Sequence, residues 1–133
     1  MRRPSALEVT CPARGATLVS RGSLAETYGS RLKGLLGRRW LASGDGLLLE
    51  PCNSIHMFFM RFAIDAVYLD ADDRVLRVVD DLRPWKIGPT LRRARKVLEV
   101  PAGAAVACGL QTGDQLLIRN CSQFRHSMIY WTA

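Results

Sequence analysis

With 133 residues, 48 % of them hydrophobic, the chain holds enough apolar material for one globular core, and no apolar run approaches the roughly 20 residues that a membrane-spanning helix needs. Nineteen Lys and Arg against 12 Asp and Glu give a formal charge of +7, a balance that favours contact with anionic surfaces without naming one. The opening MRRPSALEVTCPARG lacks the apolar stretch of a signal peptide, so a single cytoplasmic domain over residues 1–133 is expected.

In chain order, ATLVS at 16–20 is the first predicted strand, and the residues before it are read as a flexible end. Ser23 and Glu26 have the spacing of a capping box, in which each side chain satisfies an orphan backbone N–H at a helix start. Leu24, Tyr28, Leu32, Leu35 and Leu36 then recur on one helical stripe, with Gly37 as the stop. GLLLEP at 46–51 reads as a buried strand ended by proline. AIDAVYLD at 63–70 and RVLRVVD at 74–80 flank Ala71, Asp72 and Asp73, which predicts a hairpin. Pro84, Gly88 and Pro89 make 81–96 a long irregular connection. KVLEV at 96–100 resumes strand character, AAVACGL at 104–110 has room for one or two helical turns, and QLLIRN at 115–120 is the last strand after a Thr-Gly-Asp turn. The tail CSQFRHSMIYWTA is aromatic and weakly patterned. Six short strands with one substantial helix predict a mostly β domain and disfavour a parallel βαβ architecture.

RLKGLLGRRWLASGDGLLLEP, SIHMFFMRFAIDAVYLD, VLEVPAGAA and GLQTGDQLLI, in that order, resemble the DUF192 family of small, functionally uncharacterised bacterial and archaeal proteins over about residues 16–119. The resemblance implies a compact, mostly antiparallel β barrel or sandwich with the early helix packed against it. It places Arg31, Gly34 and Leu35 in an early Arg-x-x-Gly-Leu motif and Asp65 in a later one; Ala63 stands where proline is usual. Many members are exported or lipid-anchored, and the resemblance supplies no reaction and no cofactor.

Asp65, between Ile64 and Ala66, is expected to be buried, which is costly for a carboxylate unless it is paired; Arg31, Arg61 and His56 are its candidate partners in a structural network. His56 titrates nearest neutrality, and with Asp65 behind it and Cys52 or Ser54 nearby it outlines a nucleophile, base and orienter, although no G-x-S-x-G context supports Ser54. Cys11, Cys52, Cys108 and Cys121 are widely spaced, form no CxxC and read as buried or free thiols. His56, His126, Cys52, Cys121 and Asp65 lack the close ligand pairs of common zinc sites, so no metal is expected. Arg92, Arg93, Arg95 and Lys96 form the densest basic run, Arg38 and Arg39 a second doublet, and Trp85 and Trp40 are candidate stacking or apolar anchors. Neither a phosphate-cradling glycine motif nor a known nucleic-acid-binding signature occurs.

The expectation is therefore a noncatalytic binding or accessory domain that uses the 52–62 segment and the basic 83–96 loop to hold a protein or a small anionic ligand. Two alternatives stand beside it: a hydrolase or thiol enzyme centred on His56 and Asp65, and a nucleic-acid contact through the basic surface.

Overall fold

The computed structural model describes residues 7–25 and 41–120. Its strands are β1 (Leu7–Cys11), β2 (Ala16–Ala25), β3 (Asp45–Leu49), β4 (Ile64–Leu69), β5 (Val75–Leu82), β6 (Lys96–Pro101) and β7 (Leu117–Asn120), with a 3-10 turn at Pro12–Arg14 and one helical turn, α1 (Ala104–Ala107). The hairpin, the β6 strand and the helical turn fall where the sequence places them. β1 was not expected. Its Leu7, Val9 and Cys11 point inward, and it pairs with β2 on one side and β7 on the other. The capping box does not start a helix at Ser23, because Ser23 lies within β2 opposite Leu47 of β3. The rest of that helical stripe, with Arg31, Arg38, Arg39 and Trp40, and the tail from Cys121 lie outside the described residues.

The strands form one sheet in the order β5-β4-β6-β3-β2-β1-β7. Every neighbouring pair is antiparallel except β2 and β3, which run parallel; a parallel pair requires a crossover, and residues 26–44 are its only link. The sheet curls until its two ends touch at one corner. There Gly113 N–H donates to Val75 C=O at 2.7 Å, Val75 N–H to Asp114 C=O at 2.8 Å, and Leu116 N–H to Asp73 C=O at 3.0 Å. Beyond the bridge between Arg74 and Gln115, no ladder joins β5 to β7, so the sheet stays open. Gly46 is required by the curl: a Cβ there would lie 2.5 Å from Val19 Cγ2, a distance no packed side chain tolerates.

Carboxylates fasten this corner. Asp70 accepts the N–H groups of Asp72 and Arg74 at 2.9 and 3.0 Å, closing the β4–β5 turn. The Arg74 backbone bond chiefly holds its carboxyl below the ordinary value. Asp114 accepts two bonds from the Arg14 guanidinium, at 2.9 and 3.2 Å, and one from Gln111 N–H at 2.9 Å. Arg14 above all lowers its pKa.

Both faces of the sheet centre are covered, which is why all six residues of β4 are buried. Alternation sends Val67 and Leu69 to one face, with Leu98, Val100, Val9 and Val19, and Ile64, Ala66 and Tyr68 to the other, with Val97, Leu47, Ile55 and Met57. Each buried Val, Leu, Ile or Met side chain contributes roughly 1.5–3 kcal/mol. The first face is the inside of the curl; the second is roofed by the chain from Ile55 to Met60.

Candidate functional site

Asp65 belongs to the inner face and is fully buried. Its Oδ1 accepts Asp81 N–H at 2.9 Å, and its Oδ2 accepts Gly103 N–H at 3.0 Å and Ala105 N–H at 3.1 Å. One carboxylate thus joins β4 to the end of β5 and to the entrance of α1. Asp81 is in the left-handed region at φ +51, and the bond to its N–H is one of the contacts that hold it there. The partners are backbone groups where the sequence suggested side chains: Arg61 is exposed, and Arg31 lies outside the described residues.

His56 belongs to the opposite side of the sheet. Ile55 and Met57 point into the core beneath the roof, so His56 between them turns outward and is half-buried. Its Nδ1 accepts Phe58 N–H at 3.4 Å, which leaves the proton of a neutral ring on Nε2. The sheet therefore separates His56 from Asp65, and the nucleophile, base and orienter drawn from the sequence do not converge. Cys52 lies in a shallow hollow of about 260 Å³ with Pro51, Asn53, Ala94 and Arg95; its thiol donates to Ser54 C=O at 3.0 Å. A larger hollow of about 400 Å³ is lined by Thr17, Ser20, Ser43, Ala107 and Cys108, among others, and by no carboxylate or imidazole among the described residues. Burial, chiefly, raises the Cys108 thiol pKa and makes it a poorer nucleophile. Among the described residues no group of three or more His, Cys, Asp or Glu is placed to hold a metal ion.

What the roof does present is a ring cluster. The segment 55–57 pairs antiparallel with 85–88: Trp85 N–H donates to Met57 C=O at 2.7 Å, Met57 N–H to Lys86 C=O at 2.7 Å and Gly88 N–H to Ile55 C=O at 2.9 Å. Tyr68 reaches through from β4 and donates its hydroxyl to Pro89 C=O at 2.7 Å, pinning this ribbon to the sheet. Gly88 leaves room for that contact, since a Cβ there would lie 2.7 Å from the Tyr68 hydroxyl oxygen. On the ribbon His56 stacks on Phe58 with centroids 4.7 Å apart, and Trp85 packs against Phe58 at 6.1 Å and Phe59 at 5.0 Å. Phe59 is 63 % exposed, Trp85 60 % and Ile87 70 %. Phe59 and Trp85 both hold φ at +68, a backbone region bulky residues rarely occupy.

The basic run is divided by its contacts. Lys96 forms ion pairs with Asp73 at 2.6 Å and Glu50 at 3.9 Å. Arg95 donates to the carbonyls of Arg92 and Ala94, closing its own loop, and Arg92 and Arg93 are exposed. The cluster falls within the 52–62 segment and 83–96 loop that the sequence suggests as a contact surface, and of its members His56 and Trp85 stood out there individually. Phe59, Ile87 and Lys86 did not, because an MFFM run reads as core and nothing local announces which of its members turns outward.

Fold and surface together define a small domain of one curled, mixed β-sheet that carries an exposed aromatic cluster on its outer roof. The chain belongs to the DUF192 family, described as an uncharacterized ACR, whose profile matches residues 10–118. It is similar to a UPF0127 protein of Pyrococcus horikoshii, 40 % identical over 63 residues covering 47 % of this chain and 54 % of that protein. A UPF0127 protein of Thermococcus sibiricus is 27 % identical over 107 residues, 77 % of this chain and 69 % of that one. The chain spans about half the length of the first curated relatives it matches. Among solved structures, a Novosphingobium aromaticivorans protein of unknown function superposes with a TM-score of 0.71 at 23 % identity, over 87 % of this chain and 93 % of the other. A Sinorhizobium meliloti protein described as a candidate transcription regulator superposes at 0.70 with 24 % identity, over 88 % and 97 %. These two likenesses establish the fold. No helix among the described residues is long and apolar enough to cross a membrane.

Proposed function

We propose that the domain is a noncatalytic binding module whose contact surface is the ring cluster on the 55–59 and 85–88 ribbon, and that it engages a protein partner. The observation that carries this reading is the pair Phe59 and Trp85, each exposed, each left-handed and packed together at 5.0 Å. A left-handed bulky residue costs on the order of 1–3 kcal/mol, and leaving an aromatic side chain in water forgoes a further stabilisation of about 1.5–3 kcal/mol. A fold that accepts both costs twice at neighbouring positions gains from the display, and exposed Trp and Phe are the residue types that anchor protein interfaces. On this reading Asp65 is a structural carboxylate, and Cys11, Cys52 and Cys108, which form no disulfide among the described residues, suit a reducing cytoplasmic setting.

The test is a photocrosslinking amino acid at position 87 in cells, followed by purification of the captured protein and titration against the domain. Binding is expected to vanish in the double variant Phe59→Ser, Trp85→Ser while its melting temperature stays within a few degrees of the parent. Equal capture and equal affinity in the double variant would remove the surface from consideration. A reaction abolished by His56→Ala would favour the enzyme alternative.

A further inference from the structure

Resting on that reading, we propose that the partner presents an acidic, extended peptide segment, which adds as a strand to the 86–88 edge with an apolar side chain over Phe59 and Trp85 and carboxylates at Arg61 and Lys86.

Charge is the first support. The connections between β3 and β4 (50–63) and between β5 and β6 (83–95), which carry the roof and its ribbon, contain six Lys and Arg, from Arg61 to Arg95, and one carboxylate, Glu50. They therefore hold +5 of the chain's formal +7. Lys96 and Arg83 are already engaged by Asp73 and Asp81. Arg61 and Lys86, two residues from Phe59 and next to Trp85 in the chain, are exposed and pair with no carboxylate among the described residues. A cationic rim around an apolar centre selects a ligand of the opposite sign and hastens its encounter.

The backbone is the second. His56 and Ile87 form an antiparallel bridge whose hydrogen bonds are made by their neighbours, Met57 to Lys86 and Gly88 to Ile55. In such a pair the N–H and C=O of Ile87 itself point away from His56. Neither is bonded to a described residue, and the Ile87 side chain beside them is largely in solvent. This short edge offers a donor, an acceptor and an aliphatic contact side by side, which a peptide backbone with an apolar side chain complements in full. A nucleic acid would use the cations and a ring face but leave the Ile87 side chain uncovered, and the rings here tilt against one another, at 59° for Phe59 and Trp85.

A displayed library of random 12-residue peptides, selected on the intact protein and counter-selected on the Phe59→Ser, Trp85→Ser variant, tests the proposal. Enriched peptides are expected to carry Asp or Glu around an apolar residue. The best of them, synthesised, should lose about tenfold in affinity between 50 and 500 mM NaCl, because exposed charge pairs are screened, and should bind the Arg61→Glu, Lys86→Glu variant correspondingly weakly. Replacing successive amides of the peptide by esters should locate one N–H on which binding depends, without altering the protein. Enrichment of neutral or basic peptides, or binding indifferent to salt, overturns the acidic-peptide proposal. So does patch-dependent binding of a 12-nucleotide oligo-U with no peptide selected. If the photocrosslinked partner still needs Phe59 and Trp85 in those cases, only this inference falls; if no patch-dependent partner is found either, the binding-module reading falls with it.

Discussion

Replacing Asp65 by asparagine changes two acceptor oxygens into one oxygen and one amide N–H₂, in a site that holds three backbone donors. The orientation that keeps most bonds turns the oxygen toward Gly103 and Ala105, at 3.0 and 3.1 Å, and sets the amide against Asp81 N–H. One bond to a charged acceptor, about 1.5–3 kcal/mol, is then lost, and the other two decline to neutral bonds at a cost of about 1 kcal/mol each. Because the neutral amide is easier to bury than a carboxylate, the net loss should be about 3 kcal/mol, a large part of the roughly 5–15 kcal/mol that domains of this size possess. Urea unfolding followed by circular dichroism should show the midpoint falling with an unchanged slope, and thermal unfolding a melting temperature lower by about 10 °C. Asp65→Ala strands all three donors and must be worse. An asparagine variant within about 0.5 kcal/mol of the parent, or an alanine variant no less stable than the asparagine one, would refute the view of Asp65 as the joint between β4, β5 and α1.

Changing Arg92 and Arg93 to alanine together should alter unfolding free energy by no more than about 0.5 kcal/mol, since both are exposed; a larger loss in urea titration would mean that they hold the loop. Gly88→Ala puts a methyl 2.7 Å from the Tyr68 hydroxyl oxygen, and the displaced anchor should cost about 1–3 kcal/mol, read as a lower urea midpoint that Tyr68→Phe partly restores. Acid should loosen the closing corner. The Asp70 and Asp114 carboxyls are held below their ordinary 3.8, so their contribution is complete above that value and declines as pH falls toward the folded-state pKa, where the unfolded chain takes up protons first. Stability measured from pH 6 to pH 2 should therefore bend downward near pH 4, and less steeply in Asp114→Asn; an identical slope in that variant would exclude the Arg14 contact as its cause.

Much of the fold is legible because it is carried by period-two patterning and turn chemistry. The β4–β5 hairpin reads from its alternating apolar residues and from the aspartates whose carboxylates and backbone close its turn. β1 does not: LEVTC is five residues long and owes its place to ladders with β2 and β7, which are tertiary. At Asp65 the sequence signals burial, since a carboxylate stands amid Ile64, Ala66 and Val67, but the three donors lie 16, 38 and 40 residues away. They are backbone N–H groups, which every residue but proline carries, so no residue type marks them. The ring cluster is harder still. Met57 and Met60 are buried while Phe59 between them is exposed, and the difference comes from left-handed backbone at Phe59 and Trp85, a conformation that propensity argues against for aromatic residues.

The sheet divides the labour of its polar and aromatic residues by face. On the inner face Asp65 gathers backbone groups from β5 and from the entrance to α1, and every atom of that arrangement is committed to holding the curl. On the outer face the 55–57 and 85–88 segments make only a few hydrogen bonds with each other and rest on the sheet through Ile55, Met57 and the Tyr68 hydroxyl. Substitutions on the two faces should accordingly separate: those at Asp65 lower stability and leave the displayed rings in place among the molecules that remain folded, whereas serine at Phe59 and Trp85 removes contact area at little cost to stability, since both rings are largely in solvent. A surface that the fold would be no less stable without is the kind that a binding partner, rather than folding, maintains.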